Sequence, residues 1–224
     1  MFPFPFSFFG SAIVPDVPVE RIANAEAMSF NGTDAYMNAG SSTELQITGD
    51  ITVSAWFKTS NSGSALTIAG RGAHYSSSLS SWALFKRSNN GLAVQLRVGN
   101  AFVYALSPST TYNDGNWHHI CFTRKTSSGD LKLYIDGGLS VTTTGITGVM
   151  QNETKETWIG GATDGYYFNG EIDEVAIFNT ALSSDKIQQI YDATAVVDGV
   201  PQTANLFTGG LSSSLVYWNR MGDS

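Results

Sequence analysis

Cysteine is nearly absent from this 224-residue chain: Cys121 stands alone, so no intramolecular disulfide can form. The chain gains nothing covalent from an oxidising compartment, and stability has to come from packing. Charge is also scarce, with Asp, Glu, Lys and Arg making up 14% of residues and a net charge of -7. No run exceeds two consecutive basic residues, as in Lys86-Arg87 and Arg124-Lys125. A nucleic-acid partner is therefore excluded, because phosphate binding needs clustered cations. The apolar start MFPFPFSFFGSAIVP has no basic residue before Arg21, so the charged region of a secretory signal is missing from it. Pro3, Pro5 and Pro15 interrupt it and Asp16 ends it, which excludes a membrane-spanning helix there.

What remains is aromatic residues (12%) and a surface dressed in Ser, Thr, Asn and Gly. Short alternating runs recur between Gly/Asn turns. In Ile51–Lys58 (ITVSAWFK), Ile51, Val53, Ala55 and Phe57 share one face. Leu92–Val98 and Ala101–Leu106 flank Gly99-Asn100, and Leu131–Ile135 and Leu139–Thr143 flank Asp136-Gly137-Gly138, both hairpin signals. Many short strands at even spacing predict an all-β, two-sheet antiparallel jelly-roll sandwich with extended terminal arms. One helix is expected over Ser184–Ala193, with Ser183 as its N-cap, Asp185 in the first turn, and Ile187, Ile190 and Tyr191 on the apolar face. It is expected to cap an open end of the sandwich. Three parts follow: an N-terminal arm over 1–26, a β domain over 27–193 and a C-terminal tail over 194–224.

Four segments, in order, resemble a laminin-G-like (concanavalin-A-like) jelly roll. They are MSFNGTDAYMNAG, ITVSAWFK, the hairpin DGNWHHICFTRK with LKLYIDG, and FNGEIDEVAIFNTALSSDKIQQIY. The resemblance spans roughly residues 27–192 and implies a non-catalytic recognition or structural module. It also implies calcium where loops meet at the sandwich edge, with Asp34 and Asp173 approaching each other if the first and last strands pair; hard cations take oxygen ligands. The ending LVYWNRMGDS resembles endings of laminin-G-like structural proteins of tailed bacteriophages.

Laminarinase-type glucanases share this fold and use an E-x-D-x-E strand. Here Glu171 and Asp173 fit the first two places, but Val175 takes the third, and strict alternation puts Glu174 on the opposite face. That argues against hydrolysis. His118 and His119 leave opposite faces of one strand and cannot share a metal easily, and Cys121 reads as a core thiol. Sugar rings stack on aromatic side chains, and Tyr75, Trp82, Tyr166 and Tyr167 lie near expected loops. Most single aromatics of a sandwich are core residues, and Tyr166-Tyr167, bracketed by Gly165 and Asn169, is the least core-like pair. Phe2, Phe4, Phe6, Phe8 and Phe9 place five of thirteen phenylalanines in the first nine residues. Rings that cannot be buried within an extended arm call for a partner surface. The sequence thus points first to a virion component, in a capsid or tail. It would dock on other subunits through its arm and tail, as a homo-oligomer or within a larger assembly, and bind host glycans. The alternative is a free or cell-surface bacterial carbohydrate-binding module.

Overall fold

The computed structural model describes residues 18–24, 26–72, 80–151 and 155–221. The strands are β1 (Glu20–Ile22), β2 (Met28–Asn31), β3 (Met37–Gly40), β4 (Ile51–Lys58), β5 (Leu66–Gly72), β6 (Ser80–Lys86), β7 (Leu92–Val98), β8 (Ala101–Leu106), β9 (Trp117–Lys125), β10 (Asp130–Ile135), β11 (Gly138–Thr143), β12 (Thr157–Ile159), β13 (Asn169–Phe178), β14 (Val196–Val197), β15 (Val200–Pro201), β16 (Thr203–Asn205) and β17 (Leu215–Asn219). One sheet of seven strands runs β11-β10-β9-β4-β13-β17, with β2 also on β13; a sheet of six runs β3-β12-β5-β6-β7-β8. Every pairing is antiparallel, as the jelly-roll reading required.

Period-two alternation builds the core between the sheets. Ile51, Val53, Ala55 and Phe57 of β4, with Ile120 and Phe122 of β9, meet Trp82, Leu84, Val94 and Leu96 of the other sheet. Asp136 (φ 49°) and Gly137 (φ 78°) form the two-residue turn between β10 and β11, both in the left-handed region such hairpins need. A Cβ at Gly137 would meet the Tyr191 ring at 2.8 Å, so the turn packs directly beneath the helix.

That helix, α1, spans Ser184–Ala193 as expected, and the Ser183 side chain accepts from the Lys186 N–H. Its position differs from expectation. It lies on the outer face of the seven-stranded sheet instead of over an open end. Ile187 packs with Cys121 and Tyr134, and Ile190 with Ala176 and Phe178. Tyr191 stacks on Trp56 at 5.6 Å and 12°. Among the mostly polar outward residues of this sheet, Trp56, Cys121, Tyr134, Ala176 and Phe178 form the apolar surface that the helix covers.

Residues 194–221, read as a tail, return to the domain. β16 pairs with β1, and β17 pairs with the second half of β13. Leu206, Leu211 and Ala204 are buried against Phe178 and Ile190. The phenylalanine arm, Phe2, Phe4, Phe6, Phe8 and Phe9, lies outside the described residues. Among the described residues no helix is long and apolar enough to cross a membrane.

Candidate functional site

Three loops converge at one end of the sandwich: β2–β3, β4–β5 and β12–β13. Asn31 organises the first. Its side-chain oxygen accepts from the N–H groups of Thr33 (2.9 Å), Asp34 (3.1 Å) and Ala35 (3.1 Å), and its amide donates to Asp34 Oδ1 at 2.8 Å. This is the local turn chemistry of an Asx residue. The Gly32 N–H donates to Phe168 O at 2.8 Å, tying this loop to the third. Phe168 is fully buried and meets Phe30 and Phe57 edge-on at 6.4 and 6.3 Å. It anchors the loop that carries Tyr166 and Tyr167.

Tyr166 and Tyr167 line a cleft of about 390 Å³ together with Gly32, Asn61, Ser64, Leu66 and Asn169. Beside it, Tyr36 is 46% exposed and stacks on Trp158 at 4.1 Å with planes 8° apart. Tyr167 tilts toward Tyr36 at 6.4 Å. The result is a half-exposed aromatic platform next to a cleft walled by amides, a hydroxyl and glycine.

Sequence reasoning named Tyr166 and Tyr167 but missed Tyr36 and Trp158. The available signal was parity: Thr157 and Ile159 are buried, so Trp158 between them faces outward. Trp82 is corrected. It is 1% exposed, sits in the inter-sheet core and contacts the Phe122 ring at 5.9 Å, so it offers no face to a ligand. It shares parity with Leu84, which settles its side of β6. Tyr75 lies outside the described residues.

Asp34 and Asp173 do not fit a calcium ion. In the β2–β13 register Asn31 sits opposite Asn169, and Asp34 lies beyond that end of the pair. Asp173 is four residues further along β13 in the other direction, roughly 13 Å at 3.3 Å per residue. Asp173 is fully buried and accepts from Asn24 Nδ2 and the Glu174 N–H, each at 2.8 Å. Among the described residues no three His, Cys, Asp or Glu side chains gather as a metal site.

The carboxylate strand also departs from strict alternation. Glu174 has φ 50° and sits in a β-bulge between Asp173 and Ala176. The extra residue leaves Val175 in the core while Asp173 and Glu174 both face outward, under the C-terminal segment. Glu174 accepts from Thr203 Oγ1 and from Trp218 Nε1. Glu171 pairs with Lys58 at 3.2 Å. Each of these carboxylates is engaged in holding the fold.

The two histidines diverge, as their parity requires. Burial alone lowers the His118 pKa, but hydrogen bonds and charge from Asp136 and Asp114 overcome it and leave it raised. Those contacts are 3.1 and 3.2 Å. His119 is fully buried against Trp56 and Tyr191, its Nε2 is 2.8 Å from Ser54 Oγ, and burial pushes its pKa down to about 4. The unfolded chain takes up this proton near pH 6.5 and the folded chain only near pH 4. The stability that His119 contributes is therefore fully present above pH 6.5 and is lost as pH falls toward 4. The loss attributable to this group is about 3 kcal/mol. His118, shifted the other way, opposes it. Urea midpoints at pH 7 and pH 4.5 should converge in His119→Gln relative to the parent; an equal pH slope in both proteins would refute the assignment.

A family model described as the concanavalin A-like lectin/glucanases superfamily matches residues 31–188. The chain belongs to that superfamily. Solved structures agree on the lectin-like fold. A Bacteroides ovatus protein whose suggested role is carbohydrate binding superposes with TM-score 0.64 at 14% identity, covering 92% of this chain and 53% of that one. The chain thus spans about half the length of that relative. The heptameric SAP-like pentraxin of Limulus polyphemus gives 0.56 at 16% identity, covering 80% and 91%. The CBM40 module of the Ruminococcus gnavus IT-sialidase gives 0.56 at 18%, covering 78% and 99%, and is also seen bound to α2,3- and α2,6-sialyllactose. No curated protein matches the chain in sequence. Within the superfamily match lie all three loops of the cleft and both members of the Tyr36–Trp158 stack.

Proposed function

We propose that this chain is a non-catalytic carbohydrate-binding module of a bacterial secreted or cell-surface protein. Its binding face is the loop end of the sandwich. The observation that carries the reading is the exposed Tyr36–Trp158 stack set against the Tyr166–Tyr167 cleft. A sugar presents an apolar C–H face to an aromatic ring and hydroxyls to amides, and this surface supplies both within one loop cluster. The lectin-like relatives support this reading better than the virion role, whose main argument, the phenylalanine arm, lies outside the described residues. The engagement of Glu171, Asp173 and Glu174 in structural contacts supports binding without turnover.

Affinity per site is expected to be low, so the test is a multivalent display on a glycan array, where linked copies gain by avidity. Binding should fall roughly tenfold in Tyr36→Ala and in Tyr167→Ala, by loss of ring contact. Melting temperature should stay nearly unchanged because both rings are at least partly exposed. An array on which the multivalent protein binds no glycan refutes the reading, as does binding indifferent to both substitutions.

A further inference from the structure

A second cleft, also of about 390 Å³, opens at the same end of the sandwich, where β4 stops and β9 starts. Lys58, Gly115, Asn116, Trp117, Val196 and Gly199 line it. We infer that it is a second sugar subsite, and that the domain takes a linear oligosaccharide laid across both clefts in place of one terminal sugar. This rests on the carbohydrate-binding reading above.

The groups of this cleft reach solvent. Phe57 points into the core, so alternation turns Lys58 outward, and Trp117 stands opposite it in the β4–β9 register. The half-buried Trp117 ring is fixed by its Nε1–H, which donates to Gly199 O at 2.9 Å. Val196, 41% exposed, adds a second apolar wall. Lys58 Nζ lies 5.8 Å from the centre of the Trp117 ring and 3.2 Å from Glu171 Oε1. The two charged side chains are 34% and 37% exposed. An ammonium only donates and a carboxylate only accepts, so the pair answers sugar hydroxyls in both directions beside a ring that takes the C–H face.

The walls are set before any ligand arrives, which lowers the ordering cost of binding. Asp114 Oδ1 accepts from the Asn116 N–H at 2.9 Å and lies 3.2 Å from His118 Nε2, and the Gly115 N–H donates to Thr59 O at 3.1 Å. In the first cleft, Lys86 Nζ donates to Ser64 O and Asn90 Oδ1, each at 3.0 Å.

The two clefts are also joined. The sheet order β9-β4-β13 puts them on either side of the end of β4. The Asn61 N–H donates to Thr59 Oγ1 at 3.0 Å, and that hydroxyl donates to Asn169 O at 2.6 Å, so the start of the β4–β5 loop is tied down between them. Asn169 of the first cleft and Glu171, the partner of Lys58, are two residues apart on β13, roughly 7 Å. Neighbouring units of one sugar chain bridge such a gap.

The test holds the full chain, in multivalent form, on immobilised glucan, xylan, mannan and galactan. It is then displaced with soluble linear oligosaccharides of each series, from monosaccharide to hexasaccharide. The half-displacing concentration should fall at least tenfold from monosaccharide to tetrasaccharide and then level off. Trp117→Ala should flatten the series without changing the monosaccharide value, whereas Tyr167→Ala should weaken every length. Trp117→Phe, which keeps a ring but loses the N–H to Gly199, should keep the length dependence. If Trp117→Phe flattens the series as Trp117→Ala does, Trp117 only holds the Gly199 hairpin and the subsite is refuted. A parental series that is already flat would overturn this inference while leaving the carbohydrate-binding reading intact. No binding to any immobilised glycan would overturn that reading, and this inference with it.

Discussion

Gly160→Ala should destabilise the domain by about 2–5 kcal/mol, as the sum of left-handed backbone strain and overpacking. Gly160 has φ 74°, where a Cβ is strained, and a Cβ built there meets the Phe30 ring at 2.2 Å. Phe30 cannot retreat: it is 5% exposed and lodged edge-on against Phe168. At roughly 2–4 °C per kcal/mol for a chain of this size, the melting midpoint should fall by about 10 °C. The same residue launches the loop that carries Tyr166 and Tyr167, since its N–H donates to Ile68 O at 2.9 Å and its carbonyl accepts from the Phe168 N–H at 2.8 Å. Ligand binding should fail with it. Gly165→Ala is the matched control. It has φ 85° but its nearest neighbour is 4.0 Å away, so only the backbone strain of about 1 kcal/mol remains. If the two variants melt together, the Phe30 contact is not what fixes Gly160.

A chain ended at Thr194 should not fold cooperatively. It would lose β16 and β17 and the buried side chains of Leu206, Leu211 and Met221. At about 1.5–3 kcal/mol for each large apolar side chain, that loss alone approaches the whole stability of a typical domain, about 5–15 kcal/mol. It would also strip Glu174 of Thr203 and Trp218, leaving a carboxylate beside newly exposed Ala176 and Phe178. The second half of β13 would become a bare sheet edge open to aggregation. Size-exclusion chromatography and near-ultraviolet circular dichroism measure this directly. A truncated chain that stays monomeric and unfolds with the parental urea midpoint would show the C-terminal segment to be dispensable.

Local pattern made most of the sandwich legible. Hairpins such as β10–β11 announce themselves through Asp136-Gly137, and β4 through its alternation, because register and turn are written in adjacent residues. Three features were not written that way. The bulge at Glu174 interrupts EIDEVAIF with no glycine to mark it, so strict alternation put Glu174 on the wrong face. β17 pairs with a strand some forty residues earlier, a contact that only the uncovered edge of β13 explains. The Tyr36–Trp158 stack joins residues far apart in the chain through the β3–β12 pairing, in which Trp158 opposes Asn38. Tyr166-Tyr167 was readable because Gly165 and Asn169 bracket it. Trp82 was misjudged because its neighbouring serines outweighed its parity with Leu84.

Cys121 has a practical use that follows from its position. It is the one thiol of the chain, it is buried, and burial raises its pKa, so it stays protonated and out of reach of alkylating reagents. A cysteine introduced elsewhere would therefore be a unique chemical address. Val149 is 66% exposed and its carbonyl accepts from Gly99, at the β7–β8 turn. That turn lies at the end of β7 opposite the one Lys86 and Asn90 brace beside the cleft. Maleimide coupling through Val149→Cys would seat every copy on a bead or polymer with its loop end facing away from the support.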